Sequence, residues 1–268
     1  MSVARRVFDD YLRPGRLDEL GRLIGRAVEL GYESLTLSAF AERVADGAPA
    51  PHAPVLLLRH DVDSDVPRAR RIWEIERRLG VVGSFFFRRS TWDVPFMRQL
   101  SVDGFEVGYH YEELATLIKQ RGVASAAEAR ELIAPARYRL EAALAELRAS
   151  SGLALDVLAS HGDFANRALD VANLELLDDA AFRARLGVRL EAYDVEEHVE
   201  VRCADGAGGP SHWTPLDPAP ALERGARVVE LLVHPRAWGA APVANARLDV
   251  ERLLAGGRYA LRRARRGS

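Results

Sequence analysis

The chain has 268 residues, 48% of them hydrophobic and 28% charged, with a formal net charge of −2. That length suits one α/β domain with a sizeable core, or two small domains, and the small net charge excludes a dominant nucleic-acid footprint. Cys203 is the single cysteine, which excludes an internal disulfide and a cysteine-rich zinc site.

In chain order, "LDELGRLIGRAVELGYE" places apolar residues at helical spacing and stops at Gly31. "SLTLSAFAERVADG" predicts a short helix capped by Ser38. "APAPHAP" is a loop by its prolines and leads into "VLLLRHDVDSD", an apolar strand that ends abruptly in charge. "PRARRIWEIERRLG" is a helix with Pro67 in its first turn and Gly80 past its end. "VVGSFFF" and "GFEVGYH" read as strands around the short helix "VPFMRQLS". "EELATLIKQRG" and the long "SAAEARELIAPARYRLEAALAELRASSG" are helical, the second bent at Pro135. "LDVLASH" is a strand and "VANLELLDDAAFRARLG" a helix. "LEAYDVEEHVEVRCADGAGGPSHW" mixes short strands with glycine loops, "ARVVELLVH" is a strand, and "ANARLDVERLLAGGRYALRRARR" closes as a helix. Strands alternating with helices imply a parallel sheet whose chemistry sits at the carboxyl ends of the strands.

Four of those strand ends share a pattern. "VLLLRHD" ends in His60 and Asp61, "FEVGYH" in His110, "LDVLASH" in His161 and "VVELLVH" in His234, although the chain has only seven histidines. Alternation along an extended strand puts Asp61 and Asp63 on one face and His60 on the other, so His60 is assigned a structural role. Two carboxylates on one face at a strand end call for a cation, or for separate roles as base and ligand. Imidazole and carboxylate donors suit a borderline divalent ion. Asp65 is assigned to the cap of the following helix, and His52, His198 and His212, in loop-like surroundings, to the surface.

These motifs resemble the polysaccharide deacetylase superfamily, the NodB-homology or carbohydrate esterase 4-like group, across roughly residues 53–240. Within it they look closest to a WbmS-like branch linked to surface-polysaccharide gene clusters. The resemblance implies a distorted (β/α) barrel of the glycoside hydrolase/deacetylase type with about seven parallel strands. General α/β logic extends this to a single domain over residues 1–268, with residues 1–50 as a helical extension packed on the barrel. It implies hydrolysis of an N-acyl group, acetyl or formyl, on a small-molecule or nucleotide-linked amino sugar. In "HDVD" the match makes Asp61 the general base and Asp63 a metal ligand; "EVGYH" makes His110 a ligand, and "LLVH" makes His234 the general acid. The family's second metal histidine lies four residues after the first, where this chain has Leu114. The third ligand is therefore His161 as first choice or Glu112 as second. The cofactor implied is one divalent transition metal, Zn²⁺ first, with Co²⁺, Ni²⁺, Mn²⁺ or Fe²⁺ as alternatives.

Substrate contacts are assigned to Arg59, Arg88, Glu112, Trp213 and Trp238. The arginines suit a phosphate or carboxylate as well as a salt bridge, and the tryptophans suit a sugar face as well as the core. The start has no apolar h-region or small-residue cleavage site, and no apolar run approaches spanning length, so the expected compartment is the cytoplasm with no membrane span. The rival expectations are a non-catalytic deacetylase-like binding protein and a metal-dependent hydrolase of another ester or amide.

Overall fold

The computed structural model describes residues 8–12, 15–45, 53–206 and 212–267. Among the described residues nine strands form one sheet: β1 Glu33–Leu35, β2 Val55–Val62, β3 Ser84–Phe87, β4 Glu106–Tyr111, β5 Val157–Ser160, β6 Leu190–Glu191, β7 Val201–Asp205, β8 Trp213–Thr214 and β9 Val228–Val233. Their order is β6-β5-β4-β3-β2-β9-β7-β8, with β1 paired to β2. All pairings are parallel except β7 with β8. The architecture is α/β, with the sheet curled into a half barrel. Eight strands run parallel where about seven were expected, and β8 adds an antiparallel edge. Among the described residues no helix is long and apolar enough to cross a membrane.

β2 is the axis of the sheet. Its first half pairs with β1 (Glu33 opposite Val55) and its second half with β3 (Arg59 opposite Ser84), while β9 lies along the other edge. Every residue of β2 is buried, which matches its continuous apolar run. Leu56, Leu58 and Val62 join the large core beneath the helices, whereas Val55 and Leu57 join a smaller inner cluster with Leu37, Phe40, Phe86 and Val157. His60 follows the helix side: it stacks on Phe85 at 4.1 Å and its Nε2 lies 2.8 Å from Glu76 Oε1, without hydrogen-bond alignment. The strand thus carries Arg59 and Asp61 inward and His60 outward.

Several local signals act as their chemistry dictates. Asp65 caps the helix Val66–Leu79 through Arg68 N, with Pro67 in the first turn and Gly80 closing it in the left-handed region. The helix Leu37–Ala45 starts on Thr36, not Ser38: Thr36 Oγ1 accepts from Ala39 N and its carbonyl from Phe40 N. The residues before it form β1, too short at three residues to show alternation. The long helical stretch breaks at Leu132 into Ala126–Glu131 and Ile133–Ser151, so Pro135 sits in a first turn, where its missing N–H costs nothing, and does not bend a helix interior. The chain closes with the helix Pro242–Gly267.

Gly108 in β4 is set by close approach. A Cβ there would collide with the Val157 carbonyl oxygen and lie 2.5 Å from Phe86 ring carbons. Gly108→Ala therefore lowers stability by about 1–3 kcal/mol in urea unfolding; an unchanged midpoint would contradict this packing.

Candidate metal centre and acid–base pair

The carboxyl ends of β2, β4, β5 and β9 bring their polar residues together. Asp63 follows β2 in a turn whose N–H bonds the Asp61 carbonyl at 2.9 Å. His110 is the penultimate residue of β4 and His161 follows β5, its N–H bonded to the Tyr111 carbonyl at 2.9 Å. His110 Nε2 lies 3.5 Å and His161 Nε2 3.4 Å from Asp63 Oδ1, with the two rings perpendicular at 5.1 Å. One donor atom from each of the three fits within 4.8 Å of the others.

Three features make this trio suited to a cation. Asp63 Oδ1 is buried and has no hydrogen-bond partner, an expensive state for a carboxylate oxygen without an ion. Donors about 2.1 Å from a tetrahedral ion stand ~3.4 Å apart, the spacing seen between Asp63 and each imidazole. His110 Nδ1 is 3.0 Å from the Ala159 carbonyl, which takes its proton and leaves Nε2 the free lone pair.

Nearby acids already have cations of their own. Glu112 is held by Arg88 at 2.6–3.1 Å and Asp163 by Lys119 at 2.5 Å. Asp61 receives the guanidinium of Arg59 in a fork, Nε to Oδ1 at 3.0 Å and Nη2 to Oδ2 at 2.9 Å. Among the described arginines and lysines, Asp63 has the more distant Arg88 Nη1, at 4.0 Å.

Asp61 and Arg59 form a buried pair. Burial opposes the charge on Asp61, but Arg59 outweighs it, His110 and His234 add to the effect, and the pKa falls to about 2. Arg59 is 0% exposed and lies 4.7 Å from the Tyr193 ring, so it is not available to a substrate as expected. Its Nε and Nη2 are committed to Asp61.

His234 follows β9 and keeps a partly open ring, its side chain 33% exposed. Its Nδ1 is 2.7 Å from Asp205 Oδ1, while its backbone N–H donates to Asp205 Oδ2 at 2.7 Å. Trp238 Nε1 donates to the same oxygen at 2.7 Å. Burial disfavours the imidazolium, but the Asp205 carboxylate prevails and raises the pKa to about 9. Asp205, at the end of β7, was not singled out in the sequence; "VRCAD" offered the same signal as the other charged strand ends.

The tryptophan assignments change. Trp238 is 1% and Trp213 6% exposed, and their rings pack at 5.6 Å, so neither can stack on a sugar. His212, expected at the surface, is 7% exposed and sits edge-on to Trp238 at 5.0 Å. His198 is exposed, as its loop setting suggested, and His52 lies outside the described residues.

No known family profile matches the chain, and no curated protein matches it. Solved structures similar to it include a CE4 family pseudoenzyme from Bacillus anthracis, at 14% identity and TM-score 0.39, over 75% of this chain and 62% of that one. Peptidoglycan deacetylase PdaC from Bacillus subtilis matches at 12% identity and TM-score 0.38, over 73% and 82% of the two chains. The chitin deacetylase from the fungal pathogen Colletotrichum lindemuthianum matches at 16% identity and TM-score 0.36, over 72% and 80%. The chain thus spans less than two thirds of the length of the Bacillus anthracis protein.

Because the folded pKa of His234, about 9, exceeds the ordinary 6.5, its charge stabilises the fold below pH 6.5 and this contribution fades as pH rises through 9. Asp205→Asn removes the opposing charge. In NMR titration of the metal-free protein, the His234 midpoint falls from about 9 toward 6.5 and the stability slope across that window flattens. A midpoint unmoved by the substitution would contradict the pairing.

Proposed function

We propose that the protein is a metal-dependent amidase that removes an N-acyl group, acetyl or formyl, from an amino sugar or nucleotide-linked sugar used in surface-polysaccharide synthesis. The observation that carries this reading is the convergence of Asp63, His110 and His161 on one buried, unpartnered carboxylate oxygen beside Asp61. The motifs "HDVD", "EVGYH" and "LLVH" support the bond type and the sugar through their resemblance to deacetylases.

In this reading Asp63, His110 and His161 hold one divalent ion, with Zn²⁺ the first choice. When bound, such an ion lowers the pKa of water to about 7 and polarises a carbonyl. The chain supplies the proton traffic. Asp61, ionised throughout the neutral range, accepts the proton of the attacking water; Arg59 fixes its orientation, and each oxygen keeps a second lone pair for this. His234, charged at neutral pH, gives a proton to the departing amine from Nε2, because Nδ1 is committed to Asp205. Two groups with pKa values driven far apart, about 2 and about 9, are suited to opposite roles. Leu114, where the family has a histidine, is buried in the core; His161 supplies the imidazole instead.

Acyl release from a panel of N-acylated sugars and nucleotide sugars, followed by mass spectrometry, tests the proposal. Turnover requires added Zn²⁺ and stops with chelator. Asp61→Asn lowers the rate by about 10²–10⁴-fold while retaining the metal, whereas Asp63→Asn weakens metal binding itself. Metal loss in Asp61→Asn with retention in Asp63→Asn would exchange the two roles, and the absence of turnover on every acyl substrate would favour a non-catalytic binding protein.

A further inference from the structure

One imidazole nitrogen at the site has no partner. His161 Nδ1 is buried and makes no hydrogen bond, while the ring's Nε2 faces Asp63 Oδ1 at 3.4 Å. His110 differs, because its Nδ1 is settled on a backbone carbonyl. A ligating histidine ordinarily donates its second N–H to a carboxylate or carbonyl, which fixes tautomer and ring angle.

Two acids lie beside the His161 ring, Glu112 and Asp163. Both oxygens of Asp163 are in use: Oδ1 accepts from Ala165 N at 2.8 Å and Oδ2 from Lys119. Glu112 Oε2 lies 3.7 Å from His161 Nδ1, so a movement of ~0.8 Å would bring it to hydrogen-bond length. Arg88 grips both oxygens of Glu112, its Nη2 2.6 Å from each, and Arg88 Nη1 stands 4.0 Å from Asp63. One guanidinium therefore ties the carboxylate facing His161 to the carboxylate at the centre of the trio. An acid neutralised by a bidentate arginine is also a weaker ligand than the unpaired Asp63.

We propose that Glu112, held by Arg88, is the positioning carboxylate of His161, accepting its Nδ1 proton and presenting Nε2 unprotonated toward Asp63 and His110. This rests on the metal reading above, but its first prediction needs no metal. Neither residue is then free for a substrate anion, which replaces the expected substrate contacts of Arg88 and Glu112 with a role inside the site.

The test is long-range ¹H–¹⁵N correlation of the imidazoles in the metal-free full chain, above the ordinary histidine pKa of about 6.5. Wild-type His161 is expected as the Nδ1–H tautomer, with His110 as an internal reference. In Glu112→Gln the Arg88 fork claims the amide oxygen and turns the NH₂ toward Nδ1. His161 then converts to the Nε2–H tautomer, His110 stays unchanged, and Zn²⁺ affinity in competition with a chromophoric chelator falls about 10–100-fold. A wild-type Nε2–H tautomer would overturn the proposal, and this needs no variant to fold. Unchanged tautomer and affinity in Glu112→Gln would overturn it as well. A changed coordination number in the Co²⁺ absorption spectrum of that variant would make Glu112 a direct ligand and also overturn it. No Zn²⁺ binding by a wild type that holds the Nδ1–H tautomer would remove the metal reading and support the Glu112–His161 pairing.

Discussion

The buried fork between Arg59 and Asp61 sets the terms for everything at this end of the sheet. Both side chains leave the same strand, two residues apart, so β2 alone fixes their spacing. A buried carboxylate without a partner would protonate or be excluded; the guanidinium keeps it ionised. Arg59 is in turn packed between Phe86 and Tyr193, and Arg202 lies 4.7 Å from that tyrosine while pairing with Glu230 at 3.2 Å. The inner face of the half barrel is thus an ordered array of charges and aromatic rings. Replacing one partner of such a pair leaves the other buried and uncompensated, which costs more than the pair itself contributes.

With Asp61 neutralised by its own strand, Asp63 is the carboxylate whose buried oxygen makes no hydrogen bond and faces two imidazoles. Glu112, Asp163 and Asp205 each have a cation or several donors within hydrogen-bond reach. The local arrangement therefore separates a carboxylate tuned to stay ionised from a carboxylate left open to a cation. The proton of His234 is retained by Asp205, and that carboxylate also receives the indole of Trp238. Trp213 and His212 pack against this indole, so the buried aromatics support the Asp205–His234 pair.

Much of this was legible in the sequence because strand ends carry a strong signal. An apolar run that stops in His or Asp fixes both the depth of the residue and, through alternation, its face; His60 and Asp61 diverge for that reason. Helix boundaries marked by Asp65, Pro67 and Gly80 were equally plain. What could not be read was pairing across the sheet. Arg59 suited a substrate anion as well as a salt bridge, because its partner, two residues away, is chosen by side-chain geometry that a sequence does not contain. Asp205 was hidden because glycine-rich sequence follows it and its partner lies 29 positions later. Trp213 and Trp238 were ambiguous because a buried and a sugar-facing indole have the same neighbours in sequence. β1, three residues long, showed no periodicity at all.

The central claim is that Asp63, His110 and His161 form one cation site, and a crystal structure of the protein grown with Zn²⁺, with anomalous data collected at the zinc edge, tests it most directly. A single strong peak about 2.0–2.2 Å from a carboxylate oxygen of Asp63 and from Nε2 of both histidines is the predicted result. A peak elsewhere, or a zinc-saturated crystal with the three side chains unliganded, would contradict it.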